Sequence, residues 1–420
     1  MRVAVLGAGI IGVTTAHELA RAGAEVTLVE RREGVALETS AGNAGVVAPG
    51  YVTPWAAPGM PSKVLRTLLA PTGPVVFRPN LDPALWRWIA RWLGECAAER
   101  FRINKPRMQR LAFYSRERLR AARDELGIAY DRSEGYLQLF RTEKERALAE
   151  PALGLLRELG VPHRLVDPAT CLDIEPGLAG AAARPVGGLH LPEDEAGDCA
   201  AFARALSHRF RQAGIATRFG TVVTSLTLEG GRITGLRLAG PDGPEILACD
   251  AVVVALGPES AALLAPLGID VPIYPVKGYS ITLPVRDDAA APRAALMDEA
   301  YKVAITRLGD RVRVAGTAEL GSRALTPRQK PVETLLKVVR DWFPRGVDTG
   351  TITPWVGARP MTPDGPPILG PTAVPGLFLN LGHGSTGWAM SLGSAKIVAD
   401  LVTGARPEID VAGLTIARYA

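Results

Sequence analysis

The stretch Arg2-Val3-Ala4-Val5-Leu6-Gly7-Ala8-Gly9-Ile10-Ile11-Gly12 decides how the chain is read. Residues 2–6 are an apolar run stopped at once by glycine, the pattern of a strand buried on both faces of a parallel sheet. A helical stretch follows to Arg21, ended by Ala22-Gly23, and a second apolar strand, Glu25-Val26-Thr27-Leu28-Val29, stops at Glu30. Gly7 allows a tight turn, Gly9 lets a pyrophosphate approach the backbone, and Gly12 lets helix and strand pack closely. Ala8, Ile10 and Ile11 complete the turn, where the helix start offers unpaired N–H groups and a positive dipole end to phosphates. Glu30 stands where a carboxylate holds ribose hydroxyls, with Arg31 beside it as a further candidate contact. The charge of Glu30 repels a 2′-phosphate and argues against NADP. The competing reading is a glycine-rich turn without a nucleotide. A strand before it, a helix after it and an acid at the right distance weigh against that. The motif by itself does not separate FAD from NAD.

The chain has 420 residues, enough for two or three domains and for a large core without metal or disulfide staples. Apolar residues make up 47% and charged ones 22%, which is ordinary globular composition. The net charge of +5 is mild and its basic residues are dispersed, so nucleic acid is not expected as a partner. Cys96, Cys171, Cys199 and Cys249 form no C-x-x-C pair and no His joins them at ligand spacing. Neither a metal site nor a disulfide framework is expected, and a reducing compartment fits. Arg2 with its apolar run lacks a small-residue cleavage site and reads as a strand, not a signal peptide. No stretch has the length and purity of a transmembrane helix.

Beyond the first two strands, residues 38–60 are rich in Gly, Ala, Pro and Ser. Within them, Ser40, Asn43, Ala44 and Gly45 are candidate contacts to a flat cofactor, against the plain reading of a surface loop. Residues 61–126 are helical in pattern with proline breaks near 71–83. Trp86, Trp88 and Trp92, interleaved with Arg87 and Arg91, make a candidate membrane-interface helix. The favoured reading is a helix packed on its own domain, because a Trp spacing of two does not make one helical face. Strands are expected at 135–140 and 187–191, helices at 142–159 and 198–212, and a hairpin over 221–239 turning at Gly230-Gly231. Residues 250–257 read as a second apolar parallel strand; Gly257 and the hairpin's Val223 are further cofactor candidates. Residues 273–285 and 301–317 suggest a separate, mixed sheet, and 327–342 a helix.

Two C-terminal segments carry candidate chemistry. In Trp355-Val356-Gly357-Ala358-Arg359-Pro360-Met361-Thr362-Pro363-Asp364-Gly365-Pro366-Pro367, prolines and glycines suggest a rigid loop that holds Arg359 in one place. Arginine binds a carboxylate through two parallel hydrogen bonds; the alternative is a structural ion pair. In Phe378-Leu379-Asn380-Leu381-Gly382-His383-Gly384-Ser385-Thr386-Gly387-Trp388, a strand runs into a glycine turn that opens a helix to about Val402. Gly382, Gly384, Ser385, Thr386 and Gly387 are candidate flavin contacts, since a helix start there can stabilise charge on a reduced ring. His383 is a candidate to polarise substrate or flavin, weighed equally against a structural role.

With these motifs in view the chain resembles the D-amino-acid-oxidase-like FAD-dependent flavoproteins, and within them the bacterial D-amino-acid dehydrogenases. The resemblance runs nearly end to end. It rests on GAGIIG, TSAGNAG at 39–45, PWAAPGMPSKVL and PTGPVVFRP in 54–79, PVKGYSIT at 275–282, WVGARPMTPDGPPILG, and GHGSTGWAMSLGSAKIV at 382–398. It implies an α/β protein, α+β overall, with a Rossmann-type FAD-binding domain from residues 1–60, 180–260 and 350–420. A substrate domain on a mixed, largely antiparallel sheet would take 61–179 and 261–349, with 61–126 as its helical segment. It implies non-covalent FAD, because no cysteine stands near Met361 to attach it, and transfer of the substrate's Cα hydrogen to flavin N5 in an oxidative deamination. Arg359 matches the family arginine that pairs with the substrate carboxylate, and Tyr279 and Tyr301 lie where the family supplies pocket tyrosines. Ser385 replaces the arginine that glycine oxidases carry in the final glycine turn. Oxidation of glycine, sarcosine, D-hydroxyproline or another secondary amine is the alternative, and a non-catalytic flavin-binding subunit a second one. The resemblance further implies a quinone or respiratory-chain acceptor, a cytoplasmic location, and a peripheral contact with the inner face of the cytoplasmic membrane.

Overall fold

The run Arg2–Leu6 forms a strand with four of its five residues buried. In this computed structural model, residues 1–68 and 73–419 are described, the side chains of 66–68 and 151 excepted. Arg2–Leu6 pairs in parallel with Glu25–Val29 on one side and Ala251–Val254 on the other. A six-stranded sheet is completed by Ala216–Arg218 beyond Glu25–Val29, and by Leu377–Leu381 and then Ile368–Pro371 beyond Ala251–Val254. Only the outermost pair, Ile368–Pro371 with Leu377–Leu381, is antiparallel. Both faces are covered, which explains the uninterrupted apolar runs. On one face Val5, Leu28 and Val253 pack with Val13, Leu111, Trp388 and Ile397 of three helices, Ile10–Arg21, Ala98–Leu126 and Gly387–Thr403. On the other face Leu6 and Val254 meet Leu236 and Leu238 of the antiparallel ribbon Val222–Glu229, Arg232–Gly240 and Gly243–Ala248.

A second, ten-stranded sheet stands against this domain. Its main path runs Thr353–Met361, Tyr274–Pro284, Arg311–Leu320, Val303–Leu308, Ala295–Asp298, Ser133–Phe140, Gly187–Ala196 and Val46–Val47. Val75–Phe77 and Arg164–Val166 pair off that path. Most neighbours are antiparallel, with parallel pairs at Ala295–Asp298 beside Ser133–Phe140 and at Val75–Phe77 beside Ala318–Leu320. Helix Gln329–Trp342 covers one face, burying Val338, Val339 and Trp342 on Ile281, Val314 and Val356.

The expected domain boundaries shift at several places, Val46–Val47 in the ten-stranded sheet among them. Strands Gly187–Ala196 and Thr353–Met361 lie in the ten-stranded sheet, although 180–260 and 350–420 were assigned to the nucleotide domain. Helix Ala98–Leu126, assigned with 61–126 to the substrate domain, places Leu111, Ala112 and Leu119 in the core beneath the nucleotide sheet. Local pattern reports which face of an element is apolar, not which of two cores receives it. The segment expected as a rigid loop around Arg359 is a strand, Thr353–Met361, at the edge of its sheet. Pro360 is tolerated there because an edge strand has unpaired backbone positions. Pro71 and Thr72, within the expected proline break and the family-like PTGPVVFRP, lie outside the described residues.

The tryptophan segment follows the packed-helix reading in part. Asp82 caps helix Pro83–Glu95 by accepting from the Ala84 N–H at 2.9 Å, with Pro83 in the first turn. Trp88 and Trp92, one helical turn apart, are buried and stacked at 6.4 Å. Trp86 lies on the other side, 46% exposed, edge-on to Phe77.

Candidate functional site

A cavity of about 550 Å³ opens between the two glycine turns of the nucleotide sheet. That is within the usual range for a small-molecule or cofactor pocket. Of the residues singled out from sequence, Gly7, Gly9, Ile10, Ile11, Glu30, Arg31, Ser40, Asn43, Val223, Gly257, Gly382, His383, Gly384 and Gly387 line it. Gly7 has φ +97°, and a Cβ there would lie 2.7 Å from the Ala255 carbonyl oxygen, so the turn admits no side chain. A Cβ on Gly12 would fall 1.7 Å from the Gly7 oxygen; Gly12 shapes the turn from behind and does not face the cavity. Ala8 is also behind the wall, and its N–H donates to Glu30 Oε2 at 2.7 Å. Glu30 Oε1 accepts from the Arg32 N–H at 2.8 Å, which holds the carboxylate at the cavity rim.

The segment 38–45 is more than a surface loop. Ser40 Oγ accepts the Ile10 N–H at 3.0 Å, capping the first helix. Three side chains tie this loop to the second sheet. Thr39 Oγ1 donates to the Ala358 oxygen at 2.9 Å. Arg313 Nη1 donates to the oxygens of Ala41 and Asn43 at 2.9 and 3.1 Å. The Trp355 indole lies across Gly42 and Gly357, where added Cβ atoms would come within 2.1 and 1.9 Å of the ring. Asn43 lines the cavity, whereas Ala44 packs towards Tyr136 and Gly45 turns at φ +83° against Gly197. Ser385 is exposed and Thr386 half-buried in the short turn Gly384–Thr386, and neither lines the cavity.

The cavity fits a dinucleotide flavin on grounds besides shape. Asn380 Oδ1 and Trp388 Nε1 are buried on its wall with no hydrogen-bond partner, an arrangement that costs free energy unless a ligand supplies one. Asn380 is fixed by its amide, which donates to Thr15 Oγ1 at 2.8 Å. Both stand in the segment 378–388, and Trp388 in the motif at 382–398, but the pattern marks neither as a contact; their sequence signal is a place on either side of the second glycine turn.

Pro360 lines the cavity, and Arg359 sits just before it with its guanidinium laid over Gly278, whose missing Cβ would be 2.3 Å from Cζ. Arg359 Nη1 donates to the oxygens of Lys277 at 3.1 Å and Thr317 at 2.9 Å, and Nη2 to the Gly316 oxygen at 3.3 Å. These bonds use three of the five N–H donors an arginine carries. No carboxylate among the described residues pairs with Arg359, so the structural ion pair weighed against a ligand role is not formed. Burial alone moves the guanidinium pKa, down to about 10, which leaves it charged at neutral pH.

Two tyrosines expected in the pocket are elsewhere. Strand alternation puts Tyr279 on the opposite face of the sheet from Arg359, and its hydroxyl donates to Glu319 Oε2 at 2.6 Å. Tyr301 also packs on that outer core, with Arg141 and Lys337 over its ring at 5.0 and 5.1 Å. His383 is buried, with Nε2 2.9 Å from Ser394 Oγ, and burial pushes its pKa down to about 3. It is a neutral group at working pH and not an imidazolium acid.

The comparisons with known proteins agree with this geometry. The chain is 51% identical over its whole length to a protein from Methylobacterium radiotolerans named D-amino acid dehydrogenase, covering all of that protein. It is 50% identical, again end to end on both sides, to one of the same name from Granulibacter bethesdensis. Among solved structures, glycine oxidase from Geobacillus kaustophilus superposes with a TM-score of 0.77 at 24% identity, over 100% of this chain and 99% of that one. L-proline dehydrogenase from P. horikoshii gives 0.74 at 19% identity, over 100% and 97%; these two likenesses show the fold. Residues 2–401 match the DAO family model, described as FAD dependent oxidoreductase, and the chain belongs to that family.

Proposed function

We propose that the protein catalyses FAD-dependent oxidative deamination of D-amino acids to 2-keto acids and ammonia, passing the electrons to a quinone or another acceptor that is not oxygen. The observation that carries the reading is Arg359: a half-buried cation, held by three main-chain carbonyls, without an anionic partner among the described residues, beside the cofactor cavity. A buried charge without a partner is costly, and an α-carboxylate is an anion of the right shape for the donors left over.

Bound FAD supplies the two-electron acceptor. The chain supplies grip and alignment. Gly7, Gly9 and the start of helix Ile10–Arg21 would hold the pyrophosphate, Glu30 the ribose, and Asn380, Gly382 and Gly387 would lie near the ring. Arg359 holds the substrate carboxylate at a fixed point, which orients Cα. No general acid or base is assigned: His383 is neutral, and Tyr279 and Tyr301 lie on the far side of the sheet.

The acceptor side of the reading uses the surface around helices Met60–Leu68 and Pro83–Glu95. Leu65, Leu81, Trp86 and Leu93 are exposed there beside Arg87 and Arg91, a composition suited to a peripheral contact with an anionic membrane. Among the described residues no helix is long and apolar enough to cross a bilayer.

The reaction is tested by mixing the purified holoenzyme anaerobically with paired D- and L-amino acids and following the flavin's visible absorbance. Bleaching by D-isomers alone is expected. Bleaching by sarcosine or glycine only would replace the proposal with amine oxidation, and no bleaching by any of them would refute it.

A further inference from the structure

The strand that carries Gly278 has a second, unassigned set of groups on its outer face. Lys277 and Tyr279 flank Gly278 in sequence, so their side chains leave the sheet on the face opposite Arg359. Both converge on one carboxylate: Lys277 Nζ is 2.9 Å from Glu319 Oε1, and the Tyr279 hydroxyl donates to Oε2 at 2.6 Å. Lys277 is 1% exposed and Glu319 not at all. Arg328 and Arg78 approach Glu319 at 3.5 and 3.7 Å from the rim. Lys277 Nζ also donates to Ser322 Oγ at 3.2 Å and to the Ala324 oxygen at 3.0 Å. So dense a buried ionic cluster is a poor source of stability, which leaves its geometry to be explained.

The register supplies the explanation. Lys277 pairs with Glu319 and Tyr279 with Gly316, so the single residue Gly278 lies opposite two, Thr317 and Ala318. That is a bulge, and Thr317 sits in it at φ +52°, a left-handed conformation that β-branched residues avoid. Just past it, the strand takes Val75–Phe77 as a new partner. The carbonyls that hold Arg359 are those of Gly316, Thr317 and Lys277, the residues on both sides of this bulge. Glu319 ties the two ends of the short strand segment, Lys277 and Tyr279, to the far end of the long one.

We propose that Glu319, with Lys277 and Tyr279, is a positioning set for Arg359: from the outer face of the sheet it staples the bulge whose carbonyls aim the guanidinium on the inner face. The inference rests on the reading of Arg359 as the carboxylate clamp. Nothing in the set touches substrate or cofactor.

The test uses holoenzyme carrying Tyr279→Phe, Lys277→Met, Glu319→Gln or Arg359→Ala. Three quantities are read: substrate KM, kcat, and the Kd of propionate (a carboxylate with no amine) from its perturbation of the flavin spectrum. Arg359→Ala is expected to raise KM and the propionate Kd by about 100-fold, the loss of two charge-assisted bonds. Tyr279→Phe is expected to raise both by about fivefold, less than the full worth of a hydrogen bond to a carboxylate because the hydroxyl acts through the bulge, with kcat within about twofold. A purely structural role would lower the melting temperature and flavin occupancy yet leave the propionate Kd of the loaded enzyme unchanged; that result in Tyr279→Phe and Lys277→Met overturns the inference while the clamp stands. An unchanged propionate Kd in Arg359→Ala overturns the clamp and this inference with it. Tyr279→Phe removes only one hydroxyl, so the question stays answerable if Glu319→Gln does not fold.

Discussion

Arg359 shows how much a single residue's role depends on what surrounds it. The side chain is common, and the clamp consists of three carbonyls, a bare glycine beneath it and no acid nearby among the described residues. Because burial brings its pKa down to about 10, carboxylate binding should fail within reach of experiment. The charged form is the one that binds, so the propionate Kd should be flat from about pH 6 to 9 and then rise towards tenfold per pH unit above about 10. A titration of flavin absorbance with propionate across that range checks it, and a Kd still flat well beyond pH 10 would show that another group holds the anion. His383, by contrast, is pushed to about 3 and takes no part in a pH profile between 5 and 8.

At the scale of elements, the contacts that matter join the two sheets. The loop 38–45 belongs in sequence to the nucleotide domain, yet Arg313, Thr39 and Trp355 fasten it to the second sheet. Gly42 is the tightest point of that joint, because its backbone lies against the indole. Gly42→Ala must move either ring or loop, at a cost of about 1–3 kcal/mol for overpacking. Since Ser40 and Asn43 line the cavity from the same loop, FAD affinity is expected to fall about 5- to 140-fold, the same energy expressed as a ratio. Equilibrium dialysis against FAD measures it; unchanged affinity would mean that the loop gives way without disturbing the cofactor wall. The strand Thr353–Met361 works at this scale as well. Its alternation points Trp355, Gly357 and Arg359 to one face, so aromatic wall, bare floor and cation come from a single edge strand.

For the whole molecule, the question is where electrons leave. The exposed apolar residues Leu65, Leu81, Trp86 and Leu93 belong to one stretch of chain, the one between the loop and the long helix. If that surface rests on an anionic membrane, Leu81→Glu and Trp86→Glu together should reduce flotation with phosphatidylglycerol-containing vesicles several-fold. Bleaching by substrate should be untouched, because neither residue lines the cavity. Equal flotation of the variant and the parent would remove this surface from the proposal.

Sequence by itself determined the nucleotide half of the protein. The first strand, turn and helix are local: each glycine acts on atoms a few residues away, and the acid at Glu30 is set by the length of one helix and one strand. The apolar runs at 2–6, 25–29 and 251–254 are likewise legible, because a strand covered on both faces keeps its polar residues to exposed or half-buried positions such as Arg2, Glu25 and Thr27. Arg359 was visible as a residue from its motif. Tertiary structure alone decided the face of the sheet on which each side chain lies and the core that each element joins. Tyr279 and Tyr301 lie on the outer face, and helix Ala98–Leu126 packs under the first sheet, not the second. Facing depends on register, and the register of Tyr274–Pro284 is set by a bulge in a partner strand more than thirty residues away. Periodicity records that alternate residues differ in environment; only the packed neighbour says which set meets the ligand.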